Sequence, residues 1–571
     1  MPNAAPRPAQ PHKNSAKWST HSRRTLRERW ASVSPWKRQF KSDCLAVTLI
    51  LFCCVAPFQY LRAQTAPNQI APSYDQAEAL VRSHQWDEGL ALVRKLLKTD
   101  PHNIKDLNLA GLALTGKGDI DHANAYFREL LALSPGFVPA LKNLAINEFN
   151  QKQYDPALGH LVAARKQAPA DPIVNLYLGE IAYRRHDYKA AAEGFTVAQD
   201  MVLRNPNASA HLAVSYFKTN QPQKAEEILD NLAPDAVEPE SQFALGLALE
   251  QQALPQRAIP FLEAVQRQYP DSYDIGFDLV LADIEAKAFP KAIDEARDLV
   301  NHGHETSELD NLLAEAYEGD NQVQHAVDTL RKAIALDPAD EDNYLDFASL
   351  CMNQRSLQAG MQVIQVALAS HPKSDRLVFM RGVLYAMQDE FEKAEQDFKL
   401  SAELAPQTDL GYVGLGVSYL ETGHDAQAID ILRHRLHDKP NDASLLYLLG
   451  EAILRTGVAP GSGAYIEAQT SLEKSVRINP NLCLPHVSLG TIYLDEDRPK
   501  DAVGQFEQAR TIDPKERSAY SHLAVAYRQI GNAEKAKEVL NALKGLIEQE
   551  RQATREKIKT ADGDVAPRNP E

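Results

Sequence analysis

Apolar residues along most of the chain are three and four positions apart, which is the spacing of one face of an α-helix. A longer period is superposed on this one, because a small residue returns about every 34 positions. These residues are Gly111, Ala145, Gly179, Ala213, Gly246, Ala314, Ala348, Gly382, Gly416, Gly450, Gly490 and Ala524. The two periods together predict an all-α fold made of repeated helix pairs.

A second small residue and a proline complete most of these periods. The second small residue comes roughly a dozen positions after the first, as at Ala123 and Ala502, and the proline closes the period, as at Pro338 and Pro480. Two antiparallel helices approach closely only where the side chains at their crossing are small. Because proline cannot continue a helix, it ends the second helix of each pair.

The clearest period opens at Asn481. Its key residues are Leu489, Gly490, Tyr493, Ala502, Phe506, Ala509 and Pro514. This combination resembles the tetratricopeptide repeat, a helix-turn-helix unit of 34 residues. The resemblance implies a right-handed α-solenoid of about fourteen repeats, in which each repeat buries its apolar face against its neighbours.

The sequence divides into four segments. We expect a basic leader with an apolar segment at 1–63, a linker at 64–72, the repeats at 73–548, and a polar helical extension with a disordered tail at 549–571. Breaks in the repeat register are predicted near 200–206, 234–239 and 301–306. A glycine-rich string at 457–464 lengthens one turn within a helix pair.

The leader combines positive charge with an apolar run. Lys37, Arg38 and Lys41 precede the run at 44–58, and Ala63 offers a small residue at a cleavage site. This order is typical of an export signal in a bacterium, with cleavage after Ala63. The alternative is an uncleaved membrane anchor through residues 44–61. Both readings place the repeats outside the cytoplasm, either in the periplasm or attached to the inner membrane.

Charge argues against nucleic-acid binding. Residues 1–63 contain 11 Lys and Arg against two acidic residues, which leaves 50 basic and 75 acidic residues in the remainder of the chain. Phosphate contacts need a cationic face, and the repeats are strongly anionic.

Candidate chemistry is sparse. His302 with His304 and His434 with His437 each offer two metal ligands, whereas a metal site needs three or four. The chain contains no serine-hydrolase, phosphate-loop or zinc-protease motif. We therefore expect no catalytic residues, no metal and no cofactor.

The resemblance also implies where a partner binds, because the first helix of each tetratricopeptide repeat lines a concave groove. Variable positions of these helices form an apolar strip in the later repeats: Phe379, Val383, Val413, Val417, Leu420, Tyr447, Leu454, Val487 and Leu494. Such a strip suits an extended or helical peptide. The alternative is that several of these side chains pack between neighbouring helices.

These observations predict a non-enzymatic scaffold that binds partner polypeptides in the bacterial cell envelope. An accessory protein for polysaccharide export or assembly, with glycan contact, is the second reading. An enzyme would need a site in the loops that no motif reveals.

Overall fold

The computed structural model describes residues 73–563, which form 29 α-helices and one short 3₁₀ helix, with no β-strand in that range. The described helices fall into two compact units, one ending at Thr329 and the other starting at Leu330. In the amino-terminal unit the helices are α1 Tyr74–Arg82, α2 Trp86–Thr99, α3 Ile104–Gly116, α4 Ile120–Leu133, α5 Val138–Asn150, α6 Tyr154–Gln167, α7 Pro172–Arg184, α8 Tyr188–Val197, α9 Gln199–Val202, α10 Pro206–Lys218, α11 Pro222–Leu229, α12 Pro239–Gln251, α13 Pro255–Gln266, α14 Tyr273–Glu285, α15 Phe289–Asn301 and α16 Ser307–Gly319.

Helix α17, Val323–Leu336, contains the division between the units. The helices of the carboxy-terminal unit are α18 Glu341–Asn353, α19 Leu357–Ser370, α20 Asp375–Ala386, α21 Phe391–Leu404, α22 Leu410–Glu421, α23 Asp425–Asp438, α24 Ala443–Arg455, α25 Gly463–Ile478, α26 Cys483–Asp495, α27 Pro499–Ile512, α28 Arg517–Gln529 and α29 Ala533–Gly563. Successive helices form fourteen hairpins within residues 73–563, so the predicted class, an all-α solenoid of about fourteen repeats, is confirmed. We call the first helix of each hairpin helix A and the second helix B.

One backbone conformation marks every hairpin. The turn after each first helix contains a residue with positive φ: His84, Gly118, Lys152, His186, Asn220, Ala253, Lys287, Asn321, Arg355, Asp389, Gly423, Gly457, Asp497 and Gly531. The amide of Lys152 donates to the carbonyl of Phe149, and the amide of Gln153 donates to that of Glu148, which is the Schellman pattern for closing a helix. The same turn therefore recurs at a nearly constant interval.

The small residues in the middle of each helix A make room for a large residue of helix B. A Cβ atom added at Gly490 would lie 2.5 Å from the Phe506 ring, and one added at Gly111 would lie 2.4 Å from Phe127. Both phenylalanines are fully buried. The predicted role of these glycines in close helix packing is thus seen in the structure.

Several buried polar side chains near the start of helix A make the same type of hydrogen bond in different repeats. Each forms a hydrogen bond with the carbonyl oxygen of the proline that precedes its helix. The side chains are Asn175, Gln242, Tyr344, His486 and Tyr520, and the bonded atoms are 2.8–3.2 Å apart. This bond gives the carbonyl at the end of one repeat a partner from the start of the next.

The three predicted breaks differ in local structure. Near 200–206 the second helix is split into α8 and α9, and near 234–239 a 3₁₀ helix shortens the interval from Asn220 to Ala253 to 33 residues. Near 301–306 the side chain of Thr306 caps α16. The division between the compact units lies in α17 and outside all three stretches, so their role in domain division stays a prediction.

The glycine-rich string fills the turn between α24 and α25 up to Ser462, and the interval from Gly457 to the next turn residue, Asp497, grows to 40. The leader, with its apolar run at 44–58 and the alternative anchor at 44–61, lies outside the described residues. Among residues 73–563, no helix is both long enough and apolar enough to span a bilayer.

Candidate functional site

The predicted apolar strip lies on helices A of the carboxy-terminal unit: α20, α22, α24 and α26. Each of these helices contacts the next one in the series. Helix α22 is held close to α21 by glycines, because a Cβ at Gly411 would lie 2.5 Å from the amide nitrogen of Ala402, and one at Gly414 would lie 2.4 Å from Phe398. Val413 and Val417, one helical turn apart, are two of the predicted residues on α22.

Three of the nine predicted residues belong to the core. Phe379 and Leu420 are each 5% exposed, and Val487 is 9% exposed. The Phe379 ring packs 5.3 Å from the ring of Phe398 on helix B. These three side chains therefore pack between helices, which is the alternative that the sequence left open for several of the nine residues.

Five others are half-buried and one is exposed. Val413, Tyr447 and Leu454 border the same core cluster, while Val383 and Leu494 border two others. Val417 is 43% exposed, which makes it the most accessible member of the set. We call these six residues, Val383, Val413, Val417, Tyr447, Leu454 and Leu494, the apolar strip.

One carboxylate lies beside the strip. Glu451 on α24 is half-buried, and its Oε2 accepts a hydrogen bond from Ser488 Oγ at 2.9 Å. Burial, followed by the negative charge of Glu451, raises the pKa of Tyr447 far above its usual range. Tyr447 is thus a neutral, largely covered side chain near a charged one.

Sequence reasoning missed a polar chain in the amino-terminal unit. His211 Nδ1 lies 3.1 Å from both carboxylate oxygens of Glu180, its Nε2 lies 3.0 Å from Ser241 Oγ, and its ring stacks on Tyr183 at 4.1 Å. The three bonded residues come from three successive helices A. Ser241 is only 5% exposed, so the chain links repeats within the core. No signal in the sequence pairs residues about 30 positions apart in this way.

The histidine pairs do not form a metal site. His302 Nδ1 lies 2.8 Å from the Asp298 carbonyl, and His304 Nε2 lies 3.0 Å from that of Asp271. Over the described range, no group of three or more His, Cys, Asp or Glu residues could hold a metal ion. Both cysteines in that range, Cys351 and Cys483, are buried and free.

Family models described as tetratricopeptide repeat match five stretches of the chain. One model matches residues 74–136, 142–208 and 210–273, a second matches 311–340, and a third matches 493–553. These stretches include repeats from both compact units.

Two curated proteins are similar in sequence. Cellulose synthase operon protein C of Pseudomonas fluorescens (strain SBW25) is 24% identical over 525 residues, which cover 85% of this chain and 39% of that protein. The chain therefore spans well under half the length of this relative. TPR repeat-containing protein YpiA of Bacillus subtilis (strain 168) is 20% identical over 389 residues, covering 67% of this chain and 90% of that protein.

Solved helical-repeat structures are also similar. Yeast Tom70 has 16% identity and a TM-score of 0.39, and the match covers 75% of this chain and 96% of that one. Cut9 in complex with Hcn1 has 15% identity and a TM-score of 0.34, and the match covers 79% of this chain and 95% of that one. Together with the fourteen hairpins and their glycine contacts, the family-model matches establish that this chain belongs to the tetratricopeptide repeat family.

Proposed function

We propose that this chain is a non-enzymatic scaffold that binds partner polypeptides on the apolar strip of its carboxy-terminal unit. Tetratricopeptide proteins bind protein partners in general, and the strip is an apolar surface on the helices that line the binding face in this family. The observation that carries the proposal is Val417, a large apolar side chain that is 43% exposed. Covering such surface with an apolar partner is favourable by about 25 cal/mol per Å².

We further propose that the chain acts in a bacterial cell envelope. The support is the apolar run at 44–58 with its preceding positive charges, which suits export. A cleaved protein would begin at Gln64, and an anchored one would retain residues 44–61 in the inner membrane.

The alternative is an accessory role in polysaccharide export or assembly. One observation favours it, namely the similarity to a protein named for a cellulose synthase operon. In that case the helix-A faces would contact a glycan.

A substitution at Val417 tests the scaffold. Val417→Glu places a charge on the apolar strip, so burying it under a partner carries a desolvation penalty of about 2–3 kcal/mol, or roughly 30- to 150-fold in affinity. The measurement is affinity capture of the carboxy-terminally tagged protein from its native organism, followed by a dissociation constant for each purified partner. The bait's own first peptide reports whether the chain begins at Gln64.

Val366 supplies the matched control. It is 63% exposed and lies on helix B α19 of the same unit, away from the strip. Val366→Glu is expected to leave affinity within twofold. Equal losses in the two variants, or none in either, would exclude the strip as the binding surface and favour glycan contact or another face.

A further inference from the structure

Helices α22, α24 and α26 are almost free of charge. Apart from the last residue of each helix, Glu451 is the only Asp, Glu, Lys or Arg among them. Three other helices A differ in this respect, since α12, α14 and α16 together hold ten acidic residues, whereas apart from their last residues α7 holds only Glu180 and α10 holds no charge. Within the interior of α22, α24 and α26, Glu451 is thus one charge among apolar residues, and Arg455, one turn after it, is paired with Asp425 at 3.2 Å.

Glu451 occupies the same step of its repeat as Val417. Each residue comes six positions before the positive-φ glycine in the turn after its helix, Gly457 and Gly423 respectively. Equivalent steps on neighbouring helices A lie side by side. Val417 and Glu451 therefore occupy equivalent positions on adjacent helices A, and the Glu451 carboxylate itself is bonded to Ser488 on α26.

The carboxylate is only partly engaged. Its Oε2 accepts the bond from Ser488, and in the part of the chain that the structure describes no hydrogen bond or ion pair of Oε1 is found. A partner that covers Glu451 without supplying a positive charge would leave a desolvated carboxylate without a counter-charge, which costs binding free energy. A cationic group placed there would instead gain a charge-assisted hydrogen bond.

We infer that the partner segment is an apolar peptide carrying one lysine or arginine, set among its apolar side chains so that its cation meets Glu451. This inference rests on the proposed function, and it adds the chemistry of the occupant. The apolar side chains of the peptide provide buried contact area, and its single cation fixes the register of the peptide along the strip.

Two substitutions separate charge from structure. Glu451→Gln keeps an oxygen that can accept from Ser488 but removes the negative charge. Glu451→Lys reverses the charge. If Glu451 served only to hold Ser488, the glutamine variant would select the same peptides as the unmodified protein.

The probe is a phage-displayed library of random twelve-residue peptides, selected against the full chain, Glu451→Gln and Glu451→Lys. We expect the full chain to enrich apolar peptides with one Lys or Arg at a fixed place, and Glu451→Lys to enrich Asp or Glu at that place. Changing the lysine of the selected peptide to glutamate should weaken binding to the full chain at least about tenfold, and Glu451→Lys should restore it. Thermal melting of each variant by circular dichroism checks that the fold is retained.

The outcomes distinguish the two proposals. Peptides that lose binding to Val417→Glu but are indifferent to the charge at position 451 would overturn this inference and leave the scaffold function intact. Peptides indifferent to Val417→Glu would overturn the strip itself. An absence of enriched peptides would overturn the inference, whereas protein partners that depend on Val417 would still support the scaffold.

Discussion

Replacing Phe506 by alanine is expected to lower the free energy of unfolding by about 3–5 kcal/mol, the usual cost of emptying a phenylalanine site in a core. Phe506 is fully buried, and its ring fills the space that Gly490 leaves open. Because each repeat contacts only its neighbours, the loss of stability should be largest in the hairpin α26–α27. It should reach the adjacent hairpin α28–α29 through their shared interface. Urea unfolding followed by circular dichroism measures it.

Combining substitutions at Gly490 and Phe506 tests their steric contact more directly than either substitution alone. Gly490→Ala alone should destabilise the protein by about 1–3 kcal/mol, because the new methyl group overlaps the Phe506 ring. In the Phe506→Ala background the overlap disappears, so the substitution should become neutral or stabilising through helix propensity. Gly504→Ala in α27 is the control, since a Cβ there meets nothing within 4 Å. Additive effects of Gly490→Ala and Phe506→Ala would refute the steric account.

Asp283→Asn is expected to stabilise the amino-terminal unit at neutral pH by on the order of 2–3 kcal/mol. Asp283 is 1% exposed, and within the described chain its Oδ1 makes no hydrogen bond. Burial raises its pKa from 3.8 to about 6, against a smaller opposing effect of Lys291. Holding this carboxylate ionised in the core is therefore unfavourable.

The pH dependence follows from the direction of the shift. Between about pH 4 and pH 6 the folded state holds a proton on Asp283 that the unfolded chain has released, so its contribution to stability falls as pH rises through this window. The advantage of Asp283→Asn over the unmodified protein should thus grow from pH 4 to pH 7. Asp294→Asn, at an exposed position of α15, serves as the control and should change stability by less than about 0.5 kcal/mol. An advantage that is constant with pH would contradict the raised pKa.

The fold could be predicted from the sequence because the repeat rule concerns local spacing. The small residue, the tyrosine and the closing proline return at fixed intervals, and each is explained by contacts within one hairpin or with the next. Asp283 shows the limit of this rule, since it stands four positions before its turn residue, where Tyr317, Tyr385 and Tyr419 stand in other repeats.

The candidate site was predicted less completely. Helical spacing identifies which positions of helix A face away from helix B, but it does not give the distance between neighbouring helices. Phe379, Leu420 and Val487 are buried in clusters that contain residues of helix B and of the neighbouring helix A. Glu451 was missed because the strip was defined by apolar residues, and a charged residue between them does not meet that criterion.

The recurrent turn has a consequence for how stable this chain could become. Ten of its fourteen positive-φ positions hold residues other than glycine, and a left-handed conformation costs such residues roughly 1–2 kcal/mol. Glycine removes that strain but gives the unfolded chain more freedom, which returns roughly 0.4–1 kcal/mol of the gain. Because these positions are a whole repeat apart, the small increments should add almost independently. Glycine substitutions at these turn positions should therefore raise the stability of the protein step by step, without any change in the core or in the apolar strip.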